Sequence, residues 1–176
     1  IETKFKPEVV KDERGHLDWG TLLKSQCENI QRNDMIVRLV KMFSDKIILI
    51  LCKRKNQAIY LVKKLTEEKV DVTSLIGTQQ TFEKTSKVLV GMIQKTGVGF
   101  DHKKLNALIL ASDVEGYFIQ YLGRCMRTEN VEPIILDIVD EQYTLKKHFE
   151  TRRKVYLEHG GSIKKFSKCF PQFPII

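Results

Sequence analysis

Apolar and polar positions follow two rhythms along this chain. Short apolar runs stand at 47–52, 88–90, 107–111 and 134–139, and a mixed run at 70–76 stops at Gly77. Between them, apolar residues return every three or four positions. Ala58, Leu61, Val62 and Leu65 mark one helix face, and 117–126 and 142–159 read as two further helices. Runs that are apolar at every residue belong to strands buried on both faces, as in parallel sheets. Strands alternating with helices predict an α/β three-layer domain with a mostly parallel central sheet. Ahead of it, Leu22, Leu23, Cys27 and Ile30 predict one helix. Met35, Ile36, Leu39, Val40 and Phe43 predict a second, with Asn33 or Asp34 as its cap. Residues 81–84 have the pattern of a helical turn. Residues 1–20 are polar, broken by Pro7 and Gly15, and read as a strand or linker followed by a loop. Gly160-Gly161 ends the last helix, and a basic tail with Pro171 and Pro174 trails off. The expected organisation is a leading strand and N-terminal helices over 1–45, the α/β domain over 46–158, and the tail over 159–176.

Size and charge narrow the picture. A chain of 176 residues defaults to one domain, and 42% hydrophobic residues supply a core. The net charge of +8 and pI near 9.3 point to an anionic partner without identifying it. No stretch approaches the ~20 apolar residues of a membrane span, so no membrane partner is expected. Cys27, Cys52, Cys125 and Cys169 are scattered, with no zinc-ligand spacing. A reducing, intracellular compartment and no structural metal are the economical reading. The start, Ile1-Glu2-Thr3-Lys4, has neither an initiator Met nor a signal-peptide pattern and reads like a cut inside a longer chain.

Four segments carry candidate chemistry. The run ending at Cys52 is followed by Lys53-Arg54-Lys55-Asn56-Gln57, three bases at the start of the next helix. Backbone N–H groups there favour anions, so Lys53 and Arg54 are candidates for a phosphate-backbone contact; an ordinary basic loop is the alternative. Gly77, Thr78 and Gln79 follow the next strand, with a glycine that permits close approach and neutral groups suited to sugar-phosphate. The third segment is Gly91-Met92-Ile93-Gln94-Lys95-Thr96-Gly97-Val98-Gly99-Phe100-Asp101. Its glycines permit tight turns, and Asp101 could accept a ribose hydroxyl or orient an arginine. The fourth, Gln120-Tyr121-Leu122-Gly123-Arg124-Cys125-Met126-Arg127, reads Q-x-x-G-R-x-x-R. Residues three and four apart share a helix face, and arginine's rigid fork matches phosphate. Gln120, Gly123, Arg124 and Arg127 on one face suit a polyphosphate; a surface helix with two solvated arginines is the alternative.

In this order and spacing, the segments resemble the second RecA-like domain of superfamily 2 helicases over roughly residues 45–140. The run at 47–57 looks like motif IV, Ile76-Gly77-Thr78 like the glycine segment after it, 91–101 like motif V and 120–127 like motif VI. The wording of the last two is most similar to DNA helicases of large nucleocytoplasmic DNA viruses, the poxvirus transcript-release helicase and its asfarvirus relatives. The resemblance implies ATP and Mg2+ held mainly by a first RecA-like domain that is absent here. It implies that Arg124 and Arg127 reach the γ-phosphate, that Gln120 positions the motif, and that Gly99, Asp101 and Gly123 lie near the nucleotide. Lys53, Arg54, Gly77, Thr78, Gln94, Lys95 and Thr96 would line the nucleic-acid backbone, with DNA, as a single strand or duplex junction, the expected partner. Many relatives carry Thr early in motif V, where this chain has Gly91-Met92; Gln94 and Thr96 are the candidates to replace that hydroxyl.

The chain has no G-x-x-x-x-G-K-[ST] cradle. Asp140 and Glu141, at the end of an apolar run, are therefore read as cap and surface residues of the last helix rather than as a magnesium site. Alone, this chain is expected not to hydrolyse ATP. Lys146, Lys147, Arg152, Arg153 and Lys154, with Lys164, Lys165 and Lys168, form a basic face expected to point outward. It is either solvated or an auxiliary nucleic-acid track on which Phe166 or Phe170 could stack on a base. The expected function is the second motor domain of an ATP-dependent DNA helicase. If viral, it would work at cytoplasmic replication sites and could enter the virion. The rival is a non-catalytic basic α/β nucleic-acid-binding domain; a Rossmann-type nucleotide enzyme is disfavoured by the missing G-x-G-x-x-G after a first strand.

Overall fold

The computed structural model describes residues 1–96, 102, 104–114 and 132–176. The sheet has five parallel strands: β1 (Ile48–Cys52), β2 (Val72–Leu75), β3 (Val88–Met92), β4 (Ala107–Leu110) and β5 (Ile134–Asp137), in the order β2-β3-β1-β4-β5. β1 lies at the centre, with Ile50 opposite Val90 of β3 on one side and Ile109 of β4 on the other. All five of its residues are buried, as a strand covered on both faces requires.

Alternation along the strands builds two cores. Ile48, Ile50, Cys52, Val88, Val90 and Ile109 face Met35, Ile36, Leu39, Ala58, Leu61 and Leu65. Those side chains come from α2 (Ile30–Met42) and α3 (Lys55–Glu67). Leu49, Leu51, Leu89, Leu108 and Leu110 point the other way, toward Leu105, Val114 and Tyr156. Tyr156 belongs to α5 (Tyr143–Glu158). Each Leu or Ile buried this way contributes roughly 1.5–3 kcal/mol, so the central strand anchors both layers.

Several local expectations need correction. The cap of α2 is Asn29, whose side chain accepts from the Arg32 N–H at 2.8 Å, not Asn33 or Asp34. Asn29 also ends α1 (Trp19–Glu28), which starts at the Asp18 cap. Residues 81–84 are not helical. Phe82 stacks on His102, ring centroids 5.8 Å apart, and Glu83 N–H donates to the Thr73 hydroxyl. The C-terminal segment does not trail off. The short α6 (Phe166–Cys169) buries Phe166 in the first core, and Phe170 packs edge-on against Phe43. Lys4 N–H donates to the Ile176 carbonyl at 2.7 Å, which ties the two ends together. Phe166 and Phe170 are thus committed to packing rather than offered to a base.

Candidate interface at the carboxyl edge of the sheet

In an open parallel sheet, ligands bind beyond the carboxyl ends of the strands. Here that edge carries two adjoining regions, one basic and exposed, the other polar and buried.

The basic region is built by the exits of β1, β2 and β3. Gly77 has φ +61°, a left-handed conformation that glycine takes without cost. The turn around it is fixed by Gln79, whose side-chain oxygen accepts from Ile76 N–H at 2.9 Å and from the Ser74 hydroxyl at 3.0 Å. Lys55, the first residue of α3, lies over the glycine: a Cβ there would stand 3.8 Å from the Lys55 ammonium. From α4 (Ile93–Thr96), Lys95 donates to the Gln79 carbonyl at 3.2 Å. Two lysines therefore converge on one turn, beside exposed Thr78 and Gln94.

Lys53 and Arg54 stand elsewhere. The Lys53 ammonium is 5.7 Å from the centroid of the Trp19 ring, a cation–π arrangement. Arg54 donates to the Gly20 carbonyl at 2.8 Å. Both side chains contact the first turn of α1. Thr96 is fully buried, and its hydroxyl donates to the Met92 carbonyl at 3.1 Å. Its methyl fills the space that a side chain at Gly91 would need. Thr96 thus completes the joint between β3 and α4 and lies away from the exposed surface, which leaves Gln94 as the accessible one of the two candidates.

The buried region lies at the exits of β4 and β5. Arg32, fully buried on α2, pairs with fully buried Asp140 at 2.8 Å, and another of its nitrogens donates to the Ala111 carbonyl. Gln26 and Thr3 donate to the same carboxylate, at 2.6 and 2.8 Å. Arg32 Nη2 lacks a hydrogen-bond partner among the described residues. Asp140 is therefore neither a cap nor a surface residue. The cap of α5 is Gln142, which accepts from Leu145 N–H, while Glu141 is exposed. Arg152 corrects the outward-facing reading of the last helix. Its Nε and Nη2 grip both oxygens of Asp137 at 2.8 and 2.9 Å, and its Nη1 donates to Asp113 at 2.7 Å. Burial opposes its charge, but Asp137 and then Asp113 outweigh it and raise its pKa. Tyr156 donates to Asp137 at 2.8 Å; burial, then this carboxylate, push its phenol pKa up.

Sequence reasoning passed over Gln26, Arg32, Asp113 and Asp137, and set Arg152 on an outward basic face where the structure buries it. One signal was present: Asp137 interrupts an apolar run, and a buried acid needs a cationic partner. Gly99, Asp101, Gln120, Gly123, Arg124 and Arg127 lie outside the described residues. Among the described residues no group of three or more His, Cys, Asp or Glu could hold a metal ion, and no helix is long and apolar enough to cross a membrane.

No protein-family profile matches the chain. It is 41% identical over 186 aligned residues to "Putative helicase 161L" of Invertebrate iridescent virus 6, covering 94% of this chain and 42% of that protein. "Putative helicase 055L" of Frog virus 3 (isolate Goorha) is 34% identical over 158, covering 88% and 35%. "Uncharacterized protein 108L" of Invertebrate iridescent virus 3 is 48% identical over 95, covering 54% and 91%. The chain thus spans less than half the length of the two helicase-named relatives. Among solved structures, T4 UvsW superposes with a TM-score of 0.65 at 17% identity, covering 80% of this chain and 35% of that one. The C-terminal domain of the DEAD-box protein Dbp5 gives 0.57 at 19%, covering 77% and 82%. At such identities the structural likeness is one of fold. The chain belongs to the helicase family of large DNA viruses that these relatives represent, and its fold is that of the second RecA-like domain of superfamily 2 helicases.

Proposed function

We propose that this chain is the second motor domain of an ATP-dependent DNA helicase active at cytoplasmic replication sites. In this reading it contributes Arg124 and Arg127 to ATP held by a first RecA-like domain of the same longer protein. Gln120 positions that helix, Gly123 leaves room for the phosphates, and Gly99 and Asp101 lie toward the ribose. Bound between the domains, ATP supplies the phosphoryl group that is transferred to water. The arginines stabilise charge that develops in that transfer, a contribution of ~10³–10⁵ in rate where such fingers act. The described acids do not suit magnesium: Asp137 and Asp140 spend their carboxylates on Arg152 and Arg32. In this reading the magnesium is held mainly by the first domain.

The observation that carries the nucleic-acid half of the reading is the convergence of Lys55 and Lys95 on the left-handed Gly77 turn. Two cations and an accessible backbone suit the phosphates of a strand and carry no base information. Lys53 and Arg54 reinforce this surface from beside Trp19.

The test is single-strand binding by this domain as a function of salt, followed by fluorescence anisotropy. Each phosphate neutralised adds about −0.7 to the log–log slope. Lys55→Ala with Lys95→Ala is expected to shallow the slope by about 1.4, equally for different sequences. Lys53→Ala with Arg54→Ala is expected to change it less. An unchanged slope in the Lys55/Lys95 variant, with a large loss on removing Lys164, Lys165 and Lys168, would move the strand to the C-terminal surface.

A further inference from the structure

α1 begins with the chain's one tryptophan. Trp19 precedes Leu22 and Leu23, both buried, by three and four positions and so shares their helix face. They reach the core, but Trp19 has passed the carboxyl end of β1. Its neighbour there is Lys53, the residue that follows the strand, and the indole is only half-buried.

The ring is nevertheless held in place. His148 of α5 packs edge-on against it, ring centroids 5.4 Å apart, and is itself fixed on Asp113 at 2.7 Å. The Asp18 carboxylate caps the turn, accepting from Gly20 and Thr21 N–H at 2.9 and 3.3 Å and from the Thr21 hydroxyl at 2.6 Å. Arg54 ties the same turn to the exit of β1 through the Gly20 carbonyl at 2.8 Å. The indole therefore stands on a rigid mount at the sheet's carboxyl edge, among Lys53, Arg54 and Lys55. Only β3 separates β1 from β2, so the exits of those two strands are about 10 Å apart. A chain of phosphates seated on the Gly77 turn reaches Trp19 within a few nucleotides.

Cations alone suit any polyanion. A fixed aromatic among them suits a polyanion that carries flat rings, and the bases of a single strand offer such rings unstacked. Lys53 does not close the platform. Its ammonium lies 5.7 Å from the ring centroid, near the ~6 Å limit of a cation–π contact. A base that takes the indole brings a phosphate with which the same lysine can pair.

We propose that Trp19 is a stacking platform for one base of a single strand whose phosphates run over Lys53 and the Gly77 turn. The inference rests on the phosphate contacts proposed above and adds a contact to a base. Stacking tolerates every base, so it favours unpaired strands without reading sequence.

The experiment uses the 176-residue chain and two strands of equal length, oligo-dT and an abasic strand with the same phosphates and no bases. With one tryptophan, the emission reports position 19 alone. Emission is expected to be quenched at saturation with oligo-dT and to stay near its unbound level with the abasic strand. The parent is expected to prefer oligo-dT by roughly 5- to 150-fold. Trp19→Ala should lose that preference while binding the abasic strand as the parent does and keeping the salt slope. Trp19→Phe should keep part of it. A merely structural role would weaken both strands equally. Equal affinity of the parent for both strands, equal quenching by both, or equal losses on both in Trp19→Ala overturns the inference and leaves the phosphate contacts standing. Binding of neither strand overturns those contacts and the inference with them. Should Trp19→Ala fail to fold, Trp19→Leu decides: it keeps apolar bulk without a ring, and an undiminished preference for oligo-dT in that variant overturns the proposal.

Discussion

Replacing Gly91 with alanine would set a methyl against the Cγ2 of Thr96 well inside van der Waals contact, while its next neighbour, Leu49 Cδ1, stands at an ordinary 3.6 Å. Both residues are buried, so neither can swing into solvent. Turning Thr96 aside would break its hydroxyl bonds to the Met92 and Ile93 carbonyls. Overpacking of this kind costs about 1–3 kcal/mol. In a domain of this size 1 kcal/mol shifts the thermal midpoint by about 2–4 °C, so the expected drop is roughly 2–12 °C. Thr96→Ser deletes the offending methyl at a cost of about 0.8 kcal/mol. If the clash is the cause, the double variant should lie within about 1 kcal/mol of the parent, whereas independent effects would sum to roughly 2–4 kcal/mol. Denaturant melts of the four proteins measure the cycle. Additive losses, or a Gly91→Ala midpoint equal to the parent's, would refute the account of why glycine stands at position 91.

Asp140→Ala should lower stability by about 3–5 kcal/mol, because it strands fully buried Arg32 without its carboxylate. Joint Arg32→Met and Asp140→Leu should lie much closer to the parent, and urea midpoints with unchanged slopes will show it. Stability should also fall on the alkaline side. Burial raises the thiols of Cys52 and Cys27 above their ordinary 9.0, and burial with Asp137 raises the Tyr156 phenol above 10.0. Above pH 9 the unfolded chain sheds protons that the native state keeps, so the denaturant midpoint should decline from about pH 9; a flat profile from pH 9 to 10.5 would contradict it.

The sheet was legible because each central strand is apolar at every position, a pattern that a half-exposed strand cannot carry. The same reasoning located α5 within a residue at each end and picked out the face of α3 that buries Ala58, Leu61 and Leu65, since these apolar stripes meet the two sheet faces. The ion pairs were not legible. Arg32 and Asp140 lie 108 positions apart, and nothing in either neighbourhood marks the other. Arg152 stands among Arg153, Lys154 and other bases that are exposed, so composition alone assigned it to solvent. Lys53 and Arg54 illustrate a related loss: their position after β1 was readable, but the proximity of Trp19 and Gly20 arises from tertiary packing. The tail was misjudged for its lysines and prolines, while Phe166, Phe170 and Phe173, spaced along it, were what the core took up. Motif VI and the second half of motif V, which help carry the family resemblance in the sequence, fall outside the described residues.

The central claim, that this domain completes an ATPase by supplying arginines to ATP held by another domain of the same chain, is tested most directly in the longer protein. ATP hydrolysis with and without single-stranded DNA is measured for the parent, Arg124→Ala, Arg124→Lys and Arg127→Ala, alongside strand affinity. The account predicts that both alanine variants lose stimulated hydrolysis by roughly 10³-fold or more while binding DNA normally, and that lysine rescues poorly because it lacks the planar fork. Near-normal turnover in both alanine variants, or equal losses of binding and turnover, would contradict it.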